Sequence, residues 1–223
     1  MRKGPITETE EIFDIELEED LLRRNRELAE ANRATLRAHG VRALDVLGSI
    51  GSGKTTLISQ MIQRLKGRLK VAVLAGDLTT MIDAERIEAH GVPVLQIHTG
   101  KECHLDANLV KKALAELDLE GLDLLIIENV GNLICPGEFP LGADERLVVL
   151  SVTEGPYTAL KHPFIFEDAQ YVVINKVDLA DAMEVSVAGL AADLQQVKPG
   201  IRVFPASARS GEGVEEILHA LGL

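Results

Sequence analysis

The residues best placed to do chemistry are Gly48 to Thr55, GSIGSGKT, which fill every fixed position of the phosphate-loop pattern G-x-x-x-x-G-K-[ST]. Glycines at 48, 51 and 53 let the backbone close on a pyrophosphate without side-chain clash. Successive N–H groups of such a loop form an anion nest at the positive end of a helix dipole. Lys54 would then reach the β- and γ-phosphates and the Thr55 hydroxyl would ligate Mg²⁺, with Gly48, Ser49, Gly51, Ser52, Gly53 and Thr56 completing the expected cradle. The loop needs a strand before it and a helix after it. The apolar run Ala43 to Leu47 supplies the first; Leu57, Met61 and Leu65, with Ile58 and Ile62 beside them, recur at helical spacing for the second.

Two further motifs choose the base. Asn175-Lys-Val-Asp178 follows an apolar strand, Tyr171 to Ile174, and matches the N-K-x-D pattern of guanine recognition. The Asp178 carboxylate can accept from guanine N1–H and the exocyclic amine, whereas adenine offers no donors along that edge. The Lys176 stem can cover the base plane while its ammonium stays wet. Pro205 to Gly213, PASARSGEG, carries Ser207 and Ala208 in a loop whose Ala208 N–H would meet guanine O6. Together these favour GTP over the rival reading, an ATP-using kinase or ATPase.

Glu128-Asn-Val-Gly131 stands where most GTPases place Asp-x-x-Gly, with an acid near Mg²⁺ and a glycine N–H that senses the γ-phosphate. Asp77, at the end of the second strand, is a second carboxylate able to ligate Mg²⁺ or orient the attacking water. Asp83 reads better as a helix cap. Catalytic roles are therefore expected of Lys54, Asp77 and Glu128.

A softer site is expected nearby. Cys103-His104 follows the third strand and Cys135 the fourth, seven residues after Glu128, so all three should sit at the carboxyl rim of the sheet. Two thiolates and an imidazole suit Ni²⁺ or Zn²⁺ far better than Mg²⁺. On spacing alone the cysteines fit either metal binding or burial as small hydrophobes. Three ligands leave a tetrahedral site open to water or to a second subunit.

The elements that must position these groups follow from the pattern. Apolar strands at Val71–Ala75, Val94–Ile97, Leu122–Ile127, Leu147–Val152, Tyr171–Ile174 and Val203–Phe204 alternate with helical stretches around 82–87, 107–117, 185–197 and 214–221. The expected fold is α/β, a mostly parallel sheet with helices on both faces. Residues 1–40 read as an acidic tail and a helix from Leu17 packed on the sheet by Leu22, Ala29 and Leu36, with Leu21 and Leu28 alongside and Gly40 as its stop. Residues 41–223 are expected to form a P-loop GTPase domain with an internal metal site.

A net charge of −12 leaves no basic stripe for nucleic acid. No apolar run approaches a bilayer span, which points to a cytoplasmic protein without a membrane segment.

Taken together, GSIGSGKT, Gly76-Asp77, TGKECHLDA from Thr99, ENVGNLICP from Glu128, NKVD and PASARSGEG resemble the HypB family, GTPases of nickel-iron hydrogenase maturation related to the urease nickel GTPases. The resemblance runs from about Leu17 to the C-terminus. It implies GTP hydrolysis linked to nickel delivery into a hydrogenase large-subunit precursor. It also implies a metal site at Cys103, His104 and Cys135 near a GTP-favoured homodimer interface, and partnership with the nickel chaperone of the same pathway. Lys161, in Ala-Leu-Lys-His-Pro, resembles a family lysine directed at the nucleotide of the facing subunit. Many members carry an N-terminal Cys-rich nickel motif; no Cys precedes Cys103 here, so the internal site is expected to be the only one. The alternatives are a guanine-nucleotide-binding scaffold with a purely structural zinc, and a urease-type nickel GTPase.

Overall fold

Among the described residues, short aliphatic runs become seven strands: β1 (Arg42–Gly48), β2 (Val71–Asp77), β3 (Val94–His98), β4 (Leu124–Glu128), β5 (Glu145–Ser151), β6 (Tyr171–Asn175) and β7 (Arg202–Pro205). Between them run α1 (Glu8–Ala38), α2 (Lys54–Leu65), α3 (Ile82–Glu88), α4 (Ala107–Glu116), α5 (Thr158–Lys161), α6 (Val187–Val197) and α7 (Val214–Leu221). The computed structural model describes residues 8–77, 82–100 and 104–223. All named strands pair in parallel, in the order β3-β2-β4-β1-β5-β6-β7. Their carboxyl ends therefore share one rim, where the phosphate loop, the Glu128 segment and the Asn175 motif all emerge.

Period-two alternation splits the core. Leu44 and Val46 of β1 face α2 and α7, while Ala43 faces the α4 side of the opposite face and Leu47 the α6 side. The strands nearest the centre are buried on both faces and read as nearly unbroken hydrophobic runs. Among the described residues no helix is long and apolar enough to cross a membrane.

α1 departs from the sequence reading in two ways. It spans Glu8–Ala38, where the sequence reading starts the helix near Leu17. Its inward stripe is Asn25, Ala29, Asn32 and Leu36, whereas Leu21 is 56% exposed. The two asparagines tie α1 to the segments at Ala107 and at Pro140 and Leu141. Asn25 accepts from Ala107 N at 2.8 Å and donates to Pro140 O at 2.9 Å; Asn32 donates to Ala107 O at 2.8 Å and Leu141 O at 3.0 Å. Asn32→Ala strips two carbonyls of their partners and is expected to cost about 1–3 kcal/mol, whereas Leu21→Ala should stay within about 0.5 kcal/mol. Urea-unfolding midpoints check both, and equal losses would contradict this register.

Candidate nucleotide and metal site

The phosphate loop leaves β1 at Gly48 and enters α2 at Lys54, with Gly53 at φ 99° just before the helix. A Cβ on Gly53 would lie 2.3 Å from Asn175 Nδ2, in a backbone conformation that L side chains rarely adopt. That close approach exists because Asn175 ties loops together: its Nδ2 donates to Ser52 O at 2.8 Å and its Oδ1 accepts from Ala208 N at 2.9 Å. Gly53→Ala should weaken nucleotide binding roughly tenfold or more through about 1–3 kcal/mol of local strain. Gly67→Ala is the control, since Gly67 also has positive φ but open space around it. Calorimetric titration should separate them, and equal nucleotide affinities would remove the steric argument.

Lys54 is folded back over its own loop, with Nζ donating to Gly48 O at 3.1 Å and Ser49 O at 2.9 Å. Burial holds its pKa below the ordinary lysine value, partly offset by Glu128. Thr55 Oγ1 donates to Glu128 Oε1 at 2.6 Å. The other carboxylate oxygen, Glu128 Oε2, is buried with no hydrogen-bond partner among the described residues. Burial pushes the Glu128 carboxyl up to about 7, against the Thr55 bond and Lys54, which lower it. A hydroxyl beside a carboxylate with a spare oxygen is a hard donor set, and it fits Mg²⁺.

Gly131 comes so close to the phosphate loop that a Cβ would meet Ile50 N and Cα at 2.9 Å. Asn132 N donates to Gly48 O at 3.0 Å, which pins the segment after β4 to the loop. Gly53, Lys54, Thr55, Glu128, Gly131 and Lys176 line one cleft of about 440 Å³. Asp77 closes β2 at this rim, and its side chain lies outside the described residues. Asp83 is not a cap: it sits inside the first turn of α3, 3.4 Å from Arg86. Arg86, which the sequence reading missed, also lines the cleft and donates to Thr56 Oγ1 at 3.1 Å. Its position in the last turn of a helix, where the dipole favours cations, was the available signal.

At the base end Lys176 takes φ 62° and turns the chain. Its ammonium stays exposed, as the sequence suggested, and also donates to Gly51 O at 2.6 Å and Thr153 Oγ1 at 3.3 Å. Asp178 is exposed in a single 3-10 turn, Val177–Leu179. Ala208 N is held by Asn175 in this state, and the Ser207 hydroxyl is buried without a hydrogen-bond partner among the described residues. Glu154 was also missed. Its Oε1 accepts from Ser151 N at 2.9 Å, and burial raises its pKa against the pull of Lys176 and Lys54. Ser151-x-x-Glu154 is a capping-box pattern that could have revealed it.

Of the softer ligands, Cys103 lies outside the described residues. Cys135 opens a 3-10 turn, Cys135–Gly137, and is half-buried. The His104 ring packs on Phe139 with centroids 4.0 Å apart, so the segments that carry His104 and Cys135 meet. Among the described residues no group of three or more His, Cys, Asp or Glu side chains is arranged to hold a metal ion. An imidazole and a thiol on touching segments suit a borderline or soft cation. Lys161 is exposed at the end of α5 and is not among the residues that line the cleft.

A parallel sheet with a lysine-bearing phosphate loop between its central strand and the following helix defines a P-loop nucleotide-binding domain. The family model described as CobW/HypB/UreG, nucleotide-binding domain, matches residues 43–205. A probable hydrogenase maturation factor HypB from Methanocaldococcus jannaschii is 48% identical over 92% of this chain and 93% of its own length. The crystal structure of the hydrogenase maturation factor HypB from Archaeoglobus fulgidus superposes with TM-score 0.84 at 43% identity, covering 89% of this chain and 97% of that one. HypB from Helicobacter pylori in complex with nickel also gives 0.84, at 36% identity over 89% of this chain and 93% of that one. The chain belongs to the HypB family of hydrogenase maturation factors.

Proposed function

We propose that this chain is a GTP-hydrolysing metallochaperone that hands nickel to a nickel-iron hydrogenase precursor. One stretch carries the reading: residues 128–139 run from the Thr55–Glu128 bond at the phosphate loop to the Phe139 ring against His104. A change at the γ-phosphate therefore acts on the same backbone that bears Cys135. The Helicobacter pylori relative, described in complex with nickel, makes nickel the cargo to test first.

Thr55 and Glu128 would hold Mg²⁺, which when bound neutralises charge on the β- and γ-phosphate oxygens. Lys54 exchanges the carbonyls of Gly48 and Ser49 for phosphate oxygens, and the Gly131 N–H follows the γ-phosphate. Asp77 orients the attacking water. Asn175 holds the base loops to the phosphate loop while Asp178 reads the guanine edge. Cys103, His104 and Cys135 take the nickel ion as cargo. The exposed apolar side chains Ile50, Ile134, Tyr157 and Phe164 favour a facing copy of the chain in the GTP state, with Lys161 between two of them in sequence. The nickel chaperone of the pathway and the hydrogenase large-subunit precursor are the other partners of this reading.

Native mass spectrometry with Ni²⁺, in GDP and in a non-hydrolysable GTP analogue, tests it. The expected result is one nickel per chain, lost on Cys135→Ser, with different occupancy in the two nucleotide states and a dimer in the GTP-like state. Equal occupancy in both states would end the delivery cycle and leave a nucleotide hydrolase.

A further inference from the structure

Asp45 and Arg146 stand directly opposite each other on β1 and β5, on the sheet face where the apolar clusters beneath α4 and α6 meet. Both are nearly fully buried, and Arg146 Nε donates to Asp45 Oδ2 at 3.2 Å. A buried pair of this kind adds little stability over apolar residues of similar size, so it needs another reason to be there. Its remaining bonds supply one. Arg146 Nη1 donates to Gly137 O at 3.0 Å, two residues beyond Cys135. On the other side Asn129 Nδ2 donates to Asp45 Oδ1 at 3.4 Å, while Asn129 Oδ1 accepts at 3.1 Å from the N–H of Leu105, the residue after His104. Asn129 in turn follows Glu128, whose carboxylate holds Thr55 of the phosphate loop. One buried chain of bonds thus touches the backbone beside Glu128, beside His104 and beside Cys135.

We propose that Asn129, Asp45 and Arg146 are positioning residues through which the nucleotide state at Glu128 sets the separation of the His104 and Cys135 segments, and with it the grip on nickel. This deepens the function proposed above and rests on it. A displacement of Asn129 that follows Glu128 moves the Leu105 N–H directly and, through the ion pair, the Gly137 carbonyl. Interiors packed to crystal density pass such shifts on rather than absorb them. α1 provides the contrast. Asn25 and Asn32 hold the same two segments further out, at Ala107 and at Pro140 and Leu141, through bonds that do not include Asn129.

The test is Ni²⁺ titration of the full chain, followed by thiolate-to-nickel absorbance, with Mg²⁺ and either GDP or a non-hydrolysable GTP analogue. The wild-type affinities in the two states should differ by roughly tenfold. In Asp45→Leu/Arg146→Met, which removes both charges together, that ratio should fall to about one while both nucleotides still bind. Asn32→Ala should shift nickel affinity by the same factor in both states and keep the ratio. Arg146→Lys keeps the charge but loses the forked reach to Gly137 O; it should lower the ratio too, and it decides the matter if the double variant does not fold. A wild-type ratio that survives in Asp45→Leu/Arg146→Met, or in Arg146→Lys when only that variant folds, overturns the relay and leaves the proposed function standing. A wild type that binds nickel equally in both states overturns the coupling itself.

Discussion

Glu128→Gln should slow nucleotide hydrolysis by roughly 10²–10³-fold, the range for removing a preorganised electrostatic group from a reaction centre, and yet make the nucleotide-free protein harder to melt at pH 8. The two effects share a cause. Glu128 is 4% exposed, and desolvation raises its carboxyl from 4.5 to about 7 despite the Thr55 bond and the nearby Lys54 charge. The unfolded carboxyl ionises around 4.5, so between that value and about 7 the native state keeps a proton that the unfolded chain has lost. Stability from this group is therefore full below pH 4.5, falls as pH rises through 7, and stays low above it.

The cost of holding that charge at pH 8 is on the order of 3 kcal/mol. Gln keeps an acceptor for Thr55 Oγ1 and carries no charge, so its apo melting temperature at pH 8 should exceed the wild-type value by about 5–10 °C. The gap should shrink toward pH 5. Saturating Mg²⁺ and nucleotide should reverse the order, because only the carboxylate gains a cation. An apo variant that melts at or below the wild type at pH 8 would mean that Glu128 is not a strained, waiting ligand. The site would then be settled without its metal, against the usual exchange of stability for function at such positions.

Motifs whose chemistry depends on local spacing were legible in the sequence. The phosphate loop and N-K-x-D each end an apolar strand, and strands that are mostly aliphatic mark the parallel sheet. What stayed hidden depends on partners distant in sequence. Asn25 and Asn32 look like surface residues of a charged helix; only Ala107, Pro140 and Leu141, far along the chain, make them core. Asp45 sits within a run that reads as a buried aliphatic strand, and its sense depends on Arg146 in the neighbouring strand. The heptad reading of α1 put Leu21 beside the packed stripe because hydrophobicity was the only cue; the observed stripe includes two amides. Between β5 and β6 the chain turns through Val152–Glu154, α5 and Pro163–Phe166, pieces too short for periodicity to reveal.

Asp178→Asn should cut GTP affinity by at least about 10²-fold, leave ATP binding at its basal level, and give xanthosine triphosphate a gain of similar size. The argument is one of donors and acceptors. A carboxylate can accept from both N1–H and the 2-amino group of guanine; an amide must turn one donor toward the 2-amino group, which cannot accept it. Xanthine carries a carbonyl at that carbon, so the Asn amide donates there while its oxygen accepts from N1–H. Asp178 is exposed in the turn Val177–Leu179, and the backbone there is set by Lys176 at φ 62° and by Asn175 rather than by the Asp178 side chain. The substitution should therefore leave the melting temperature unchanged, which separates lost recognition from lost fold. Competition of GTP, ATP and xanthosine triphosphate against a fluorescent nucleotide measures all three affinities at once. If the variant still prefers GTP over ATP by the wild-type factor, the base is read elsewhere on the rim and Asn175 to Asp178 only brace the phosphate loop.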